Sequence, residues 1–132
     1  EEVGIIDADL HSDGSGRIHL HQKAGGSVKP ASHETVNARE HFIYQEGQAV
    51  FKFAVSRMAD VSVDMMTKHN IKPEELAWLV PHQANLRISQ FIQSKFKLTD
   101  DQVFNNIQNY GNTTAASIPI ALTEAWEKGK IK

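Results

Sequence analysis

The 132-residue sequence contains no cysteine, no long apolar run and no block of like charge. The absence of cysteine excludes disulfides and any Cys-ligated zinc. No run approaches the roughly 20 apolar residues that span a bilayer, and no signal-peptide segment is visible after the opening Glu1-Glu2. The 14 basic and 16 acidic residues give a formal net charge of -2, which argues against a nucleic-acid-binding protein. We therefore expect one compact cytoplasmic domain.

The spacing of apolar residues predicts alternating helices and strands from residue 47 onward. Val50, Ala54, Met58, Val61 and Met65 share one face of a helix. The predicted helices are 47–69, 85–96 and 117–129, with a short helical turn at 73–76, and the predicted strands are 3–10, 17–22, 77–80 and 103–107. This order predicts an α/β fold with a parallel or mixed sheet. A parallel sheet normally continues with a further strand after a helix, so the sequence is expected to be part of a longer protein.

Two short segments carry the clearest chemical signal, Val80–Asn85 and Tyr110–Ser117. Each follows a short apolar run and precedes an amphipathic stretch, so each predicts a strand-to-helix corner. His82 and Asn112 are hydrogen-bond donors at these corners, and two converging donors stabilise one developing negative charge. The spacing alone leaves structural roles open for both, and Asn85 also fits the cap of the following helix.

Residues 78–87 resemble the histidine corner of the β-ketoacyl-acyl carrier protein synthase III family, and residues 110–119 resemble its asparagine corner. Residues 4–14 and 47–52 also resemble the family. The resemblance implies a thiolase-like fold, built from two similar halves. Residues 1–132 would then be the C-terminal half, with the tail of the N-terminal half at about 1–12 and the final strands missing.

The same resemblance implies an acyltransferase that performs a decarboxylative Claisen condensation. The family joins an acyl-coenzyme A to malonyl-acyl carrier protein and so starts fatty acid synthesis. His82 and Asn112 would stabilise the enolate, with His82 neutral so that it donates a hydrogen bond without having to shed a proton. The nucleophilic cysteine of the family lies in the other half, so this chain alone is expected to be inactive.

Further site residues follow from the resemblance. Substrate binding is expected at Gln48, Phe51, Ala84 and Asn85, and docking of the acidic carrier protein at Lys52, Arg87 and Lys95. No cofactor is expected. His19 and His21 lie two apart, as a metal pair on a strand would, but no third ligand has suitable spacing, so no metal site is expected. The intact enzyme is expected to be a cytoplasmic homodimer that binds neither nucleic acid nor membrane.

Two other functions remain open from the sequence. A related polyketide or quinolone-type condensing enzyme would share the histidine and asparagine corners, and its starter preference would separate it from synthase III. A non-catalytic module would keep the fold and dock a carrier protein without thioester chemistry.

Overall fold

The computed structural model describes residues 4–131 and divides the chain into two units, Glu1–Phe53 and Ala54–Lys132. The elements that begin in the first unit are a 3-10 turn at Gly14–Ile18, β1 (Leu20–Gln22), α1 (His33–Asn37), β2 (Ile43–Gln45) and α2 (Gly47–Lys68). The second unit continues from α2 with α3 (Leu86–Phe96), α4 (Ile107–Tyr110) and α5 (Ser117–Glu127). Three more 3-10 turns lie at Pro73–Glu75, Asp100–Gln102 and Thr114–Ala116. Among residues 4–131, no helix has the length and apolar character to cross a membrane.

The first unit is held by a two-stranded antiparallel sheet and local caps. Strands β1 and β2 pair antiparallel, with His21 opposite Tyr44 and their rings 5.1 Å apart. Helix α1 begins with a capping box, in which Ser32 Oγ accepts the Thr35 N–H at 3.2 Å and Thr35 Oγ1 accepts the Ser32 N–H at 2.9 Å. Ala24 is the one fully buried apolar residue among residues 4–53. Strand β2, α1 and α4 were not predicted, and residues 17–22 form a strand only over Leu20–Gln22.

The strand predicted over residues 3–10 is wrong for its described part. Residues 4–10 form no strand, and the side chains of Ile5 and Leu10 are 93% and 91% exposed. A strand needs a hydrogen-bonded neighbour, and none of residues 4–131 pairs with this segment. Val3 lies outside the described residues.

The predicted helices of the second unit are confirmed, because their signals are local. Helix α2 ends at Lys68, and Asn70 then adopts the left-handed conformation with φ 54°. Asn85 caps α3 by accepting the Arg87 N–H at 2.9 Å. Pro119 lies in the first turn of α5, where its missing N–H costs nothing.

The predicted strands 77–80 and 103–107 are reduced to one parallel bridge between Leu79 and Val103. The Leu79 N–H donates to the Gln102 carbonyl at 2.7 Å, and the Phe104 N–H donates to the Leu79 carbonyl at 3.0 Å. Pro81 has no N–H with which to extend this ladder. The pairing nevertheless has the parallel sense that the helix-strand order predicts.

A compact apolar cluster positions the start of α5. Phe104 packs with Ala121 and Ala125, which lie one helical turn apart and are fully buried. Trp78, Val80 and Ile131 pack against this cluster, and Trp78 Nε1 donates to the Lys130 carbonyl at 2.8 Å. Because small residues let α5 approach closely, its first turn comes within hydrogen-bonding distance of the segment that follows Val80.

Candidate active site

The histidine corner turns tightly around His82. Its carbonyl accepts the N–H of Ala84 at 2.9 Å, which reverses the chain before α3 begins. The imidazole is half-buried, and its Nδ1 lies 2.5 Å from Oγ of Ser117, the first residue of α5. Nε2 of His82 has no hydrogen-bond partner among residues 4–131. The histidine is therefore held through one ring nitrogen, and the other is left for a ligand.

The side chain of Gln83 ties the histidine corner to the segment that leads into α4. Its side chain is 3% exposed, and its Nε2 donates to the carbonyls of Pro81 at 2.8 Å and Phe104 at 3.3 Å. Its Oε1 accepts the N–H groups of Asn106 at 3.1 Å and Ile107 at 3.2 Å. These contacts use both donors and both lone pairs of the side-chain amide. The histidine corner is thus hydrogen-bonded to the backbone just before and at the start of α4.

A polar link continues from Asn106 to α5. Asn106 is buried, and its Nδ2 donates to Glu124 Oε2 at 2.8 Å. Lys128 pairs with the other carboxylate oxygen of Glu124. The Lys128 ammonium and the Asn106 amide hold the pKa of the Glu124 carboxyl below its ordinary value. Buried Asn106 therefore has a charged acceptor, which strengthens its hydrogen bond.

The asparagine corner orients Asn112 with a short local bond. Oδ1 of Asn112 accepts the N–H of Thr114 at 2.9 Å. Because the oxygen is identified by this donor, the NH₂ group must lie on the other side of the amide. Within residues 4–131 that NH₂ group has no hydrogen-bond partner. Asn112 is exposed, and its amide is turned so that its donor is available to a ligand.

Backbone strain accompanies this corner. Thr114 has φ 52°, a left-handed conformation that a β-branched residue rarely adopts, and Gly111 has φ 68°. Such strain costs on the order of 1–3 kcal/mol and concentrates at functional sites. The strained residue is the one whose N–H orients Asn112.

The structure links the two corners through the segment that leads into α5. Asn112 precedes Ser117 by five residues, and Ser117 contacts His82 across 35 residues of chain. The convergence of His82 and Asn112 on one oxygen stays a prediction.

The remaining predicted site residues lie on helix surfaces or at helix ends. Gln48, Phe51 and Lys52 belong to the first turns of α2, in the first unit, with Phe51 half-buried and the other two exposed. Ala84 is half-buried before α3. Asn85 has the capping role described above, so its side-chain oxygen Oδ1 already accepts a hydrogen bond.

Arg87 and Lys95 are both exposed on α3 and lie eight residues apart, so they share one side of that helix. Exposed Phe91 lies between them on the same side. The predicted docking roles of Lys52, Arg87 and Lys95 stay predictions.

Gln83 and Ser117 were missed as site residues. Both belong to the two motifs, but a polar residue beside His82 or at a helix start has no spacing signal of its own. Only their position inside the two motifs could have indicated them, because a polar side chain that is buried there needs hydrogen-bond partners.

A separate cavity of about 330 Å³ lies in the first unit, between the turn at Gly14–Ile18 and the first turns of α2. Its lining includes Arg17, Leu20, Val50 and Phe53. Neither proposed donor lines it.

The chain is similar to known proteins of one family. Residues 66–132 match the family described as 3-oxoacyl-[acyl-carrier-protein (ACP)] synthase III C terminal. The chain is 51% identical over 127 residues to a β-ketoacyl-[acyl-carrier-protein] synthase III of Porphyromonas gingivalis, covering 96% of this chain and 38% of that protein. A relative of the same name from Chlorobium phaeobacteroides is 49% identical over 133 residues, covering 100% of this chain and 40% of that protein. The chain spans about two fifths of the length of these curated relatives.

Solved structures show the same likeness. The 3-oxoacyl-[acyl-carrier-protein] synthase III of Aquifex aeolicus superposes with a TM-score of 0.75 at 39% identity, covering 92% of this chain and 35% of that one. The β-ketoacyl-[acyl carrier protein] synthase III of Thermus thermophilus gives a TM-score of 0.78 at 35% identity, covering 92% of this chain and 37% of that one.

These structures define the class, which is the thiolase-like α/β fold of condensing enzymes. The fold prediction is therefore confirmed. More particularly, the chain belongs to the 3-oxoacyl-[acyl-carrier-protein] synthase III C-terminal family, as the two corner motifs indicate.

Proposed function

We propose that this chain is the C-terminal part of a β-ketoacyl-acyl carrier protein synthase III, an acyltransferase. In this proposal residues 1–12 are the tail of the N-terminal half, and the final strands and the nucleophilic cysteine lie outside residues 1–132. The enzyme condenses an acyl-coenzyme A with malonyl-acyl carrier protein. The family membership and the high identity to relatives of that name support the proposal.

The single observation that carries the chemistry is the orientation of the two donors. Asn112 uses its oxygen on Thr114, and His82 uses Nδ1 on Ser117, so each side chain keeps one nitrogen for a ligand. Two such donors aimed at one oxygen are the arrangement that stabilises an enolate.

The reaction step follows from this arrangement. The bond between the malonyl α-carbon and its carboxylate breaks, carbon dioxide leaves, and the electron pair moves onto the thioester oxygen. His82 and Asn112 donate hydrogen bonds to that oxygen without transferring a proton. The α-carbon then attacks the acyl thioester held by the enzyme's cysteine. A C–C bond forms, and the cysteine leaves as a thiolate.

The same proposal assigns the other site residues. Gln48, Phe51, Ala84 and Asn85 would contact the pantetheine arm, and Lys52, Arg87 and Lys95 would attract the acidic carrier protein. The positive charges that share one side of α3 support the docking role, because opposite charge speeds encounter. Cytoplasmic location and homodimeric assembly belong to the proposal, and the latter agrees with exposed apolar residues on α5 such as Trp126, 70% exposed.

The test uses the full-length protein that contains this chain, with His82→Ala and Asn112→Ala. Each variant should lower the rate of malonyl decarboxylation by about 100- to 1,000-fold, the usual effect of losing one such donor. Acylation of the cysteine by acyl-coenzyme A should be retained, as measured by mass spectrometry of the acyl-enzyme. Exposed His33→Ala and Asn109→Ala are matched controls and should leave both steps unchanged.

Unchanged decarboxylation in both donor variants would reject the proposed roles. Carrier binding without any acyl-enzyme in the unsubstituted protein would indicate a docking module instead. Condensation with a starter outside the acyl-coenzyme A substrates of fatty acid synthesis would indicate a polyketide or quinolone-type enzyme.

A further inference from the structure

The hydroxyl of Ser117 has a restricted set of partners. Ser117 is 2% exposed at the start of α5, so water does not satisfy its polar group. Its Oγ lies 2.5 Å from His82 Nδ1 and accepts the backbone N–H of Gln83 at 3.3 Å. Among residues 4–131, these are the hydrogen-bond contacts of the hydroxyl.

The placement of protons decides what these contacts mean. A serine hydroxyl has one proton to donate, and a neutral imidazole carries its proton on one of two nitrogens. If Nδ1 of His82 carried the proton, Oγ of Ser117 would accept two N–H groups. Its own buried proton would then have no acceptor within residues 4–131. If Nδ1 is unprotonated, the serine donates to it and every group in the contact is satisfied.

We propose that Ser117 is a positioning residue that donates its hydroxyl proton to Nδ1 of His82 and so holds the neutral imidazole with its proton on Nε2. The backbone N–H of Gln83 fixes the direction of the hydroxyl, because it occupies one lone pair of Oγ. Buried polar groups are almost always satisfied, which favours this arrangement over the reverse one.

The catalytic consequence rests on the proposed function. The enolate needs a donor, and Nε2 donates only in the tautomer that Ser117 selects. With Nδ1 protonated instead, Nε2 would present a lone pair to the enolate oxygen and repel it. A serine 35 residues away in the sequence therefore determines whether His82 can act as a donor.

The test reads the tautomer directly. Nitrogen-15 spectra of the full-length protein, labelled at histidine and assigned with His82→Asn, should show His82 with a proton on Nε2 and an unprotonated Nδ1. In Ser117→Ala the signals should move toward a mixture of tautomers. The rate constant for malonyl decarboxylation should fall roughly tenfold, the size expected for one lost buried hydrogen bond, with KM unchanged.

Two further variants separate tautomer control from packing. Ser117→Thr keeps the hydroxyl and should restore the spectrum and most of the rate. Ser89→Ala removes another buried serine hydroxyl, on α3, and should change neither. The wild-type spectrum alone decides the proposal if the variants fail to fold.

A protonated Nδ1 in the wild-type spectrum would overturn the inference, as would a Ser117→Ala variant with unchanged spectrum and rate. Failure of the proposed function has a different signature. In that case His82→Ala would leave decarboxylation unchanged, while the spectrum would still report whether Ser117 selects the tautomer.

Discussion

The two corners of the candidate site are held by different means. The histidine corner is tied from inside by Gln83, whose side chain reaches the backbone at Phe104, Asn106 and Ile107 over 21 to 24 residues of chain. The asparagine corner is exposed, and Asn112 is oriented by an N–H only two residues away. Long-range bonds couple the first corner to the stability of the unit, whereas the second corner depends on local geometry.

This difference has a physical consequence for substitutions. Removing a buried partner leaves polar groups without water or protein contacts, which costs folding free energy. When a local hydrogen bond at the surface is removed, water replaces it. Stability then changes little, and the main effect is that the side chain loses its fixed orientation. Substitutions at the histidine corner should therefore lower the free energy of unfolding more than substitutions at the asparagine corner.

The largest expected effect comes from Gln83→Leu. This change leaves the buried N–H groups of Asn106 and Ile107 without an acceptor, so it should lower the free energy of unfolding by roughly 3 kcal/mol. Urea unfolding followed by circular dichroism measures it. Exposed Gln90→Leu on α3 is the control and should change stability by less than about 0.5 kcal/mol. If Gln83→Leu lowers stability as little as the control does, long-range hydrogen bonds do not hold the histidine corner more firmly than local geometry holds the asparagine corner.

A smaller effect is expected from acid, acting through Glu124 and Asn106. The pKa of Glu124 is lowered in the folded protein, first by Lys128 and then by Asn106, so its ionised form stabilises the fold. That contribution is present above the ordinary value of 4.5 and is lost as pH falls through the lower folded pKa. Wild type should thus be more stable than Glu124→Gln near neutral pH, and the difference should shrink below pH 4.5.

Unfolding midpoints measured across the acid range test this expectation. Glu127→Gln changes an exposed carboxyl at the end of the same helix and is the control. A wild-type advantage that grows as pH falls would contradict the assigned direction.

The smallest effect is expected at the asparagine corner, from Thr114→Gly. Glycine accepts φ 52° without strain, but it also makes the unfolded chain more flexible, at a cost of about 0.5–1 kcal/mol. This cost nearly offsets a strain at the lower end of the range of about 1–3 kcal/mol. The N–H to Asn112 is kept, so decarboxylation should also be unchanged. Thr113→Gly, at φ -94°, relieves no strain and should destabilise by about 0.5–1 kcal/mol. Equal losses at both positions in thermal unfolding would show that Thr114 is not strained.

Predictions from sequence succeeded where the signal is local. The helices follow from apolar spacing, and Asn85 caps the start of α3 as expected. The strands were less predictable, because a strand exists only with a hydrogen-bonded partner. Residues 4–10 have a strand-like pattern without such a partner in the described part of the chain, and the pattern at residues 77–80 and 103–107 yields one bridge.

The sequence by itself determined the helices through the spacing of apolar residues, and the family through the resemblance of the two corner segments. The donor roles of His82 and Asn112 stay predictions. Only the tertiary structure decided how His82 is held. Ser117 and Gln83 acquire their partners when α5 packs on Phe104, which brings groups 21 to 35 residues apart within hydrogen-bonding distance. The direction of a side chain after such packing depends on every element around it, and no short pattern encodes it.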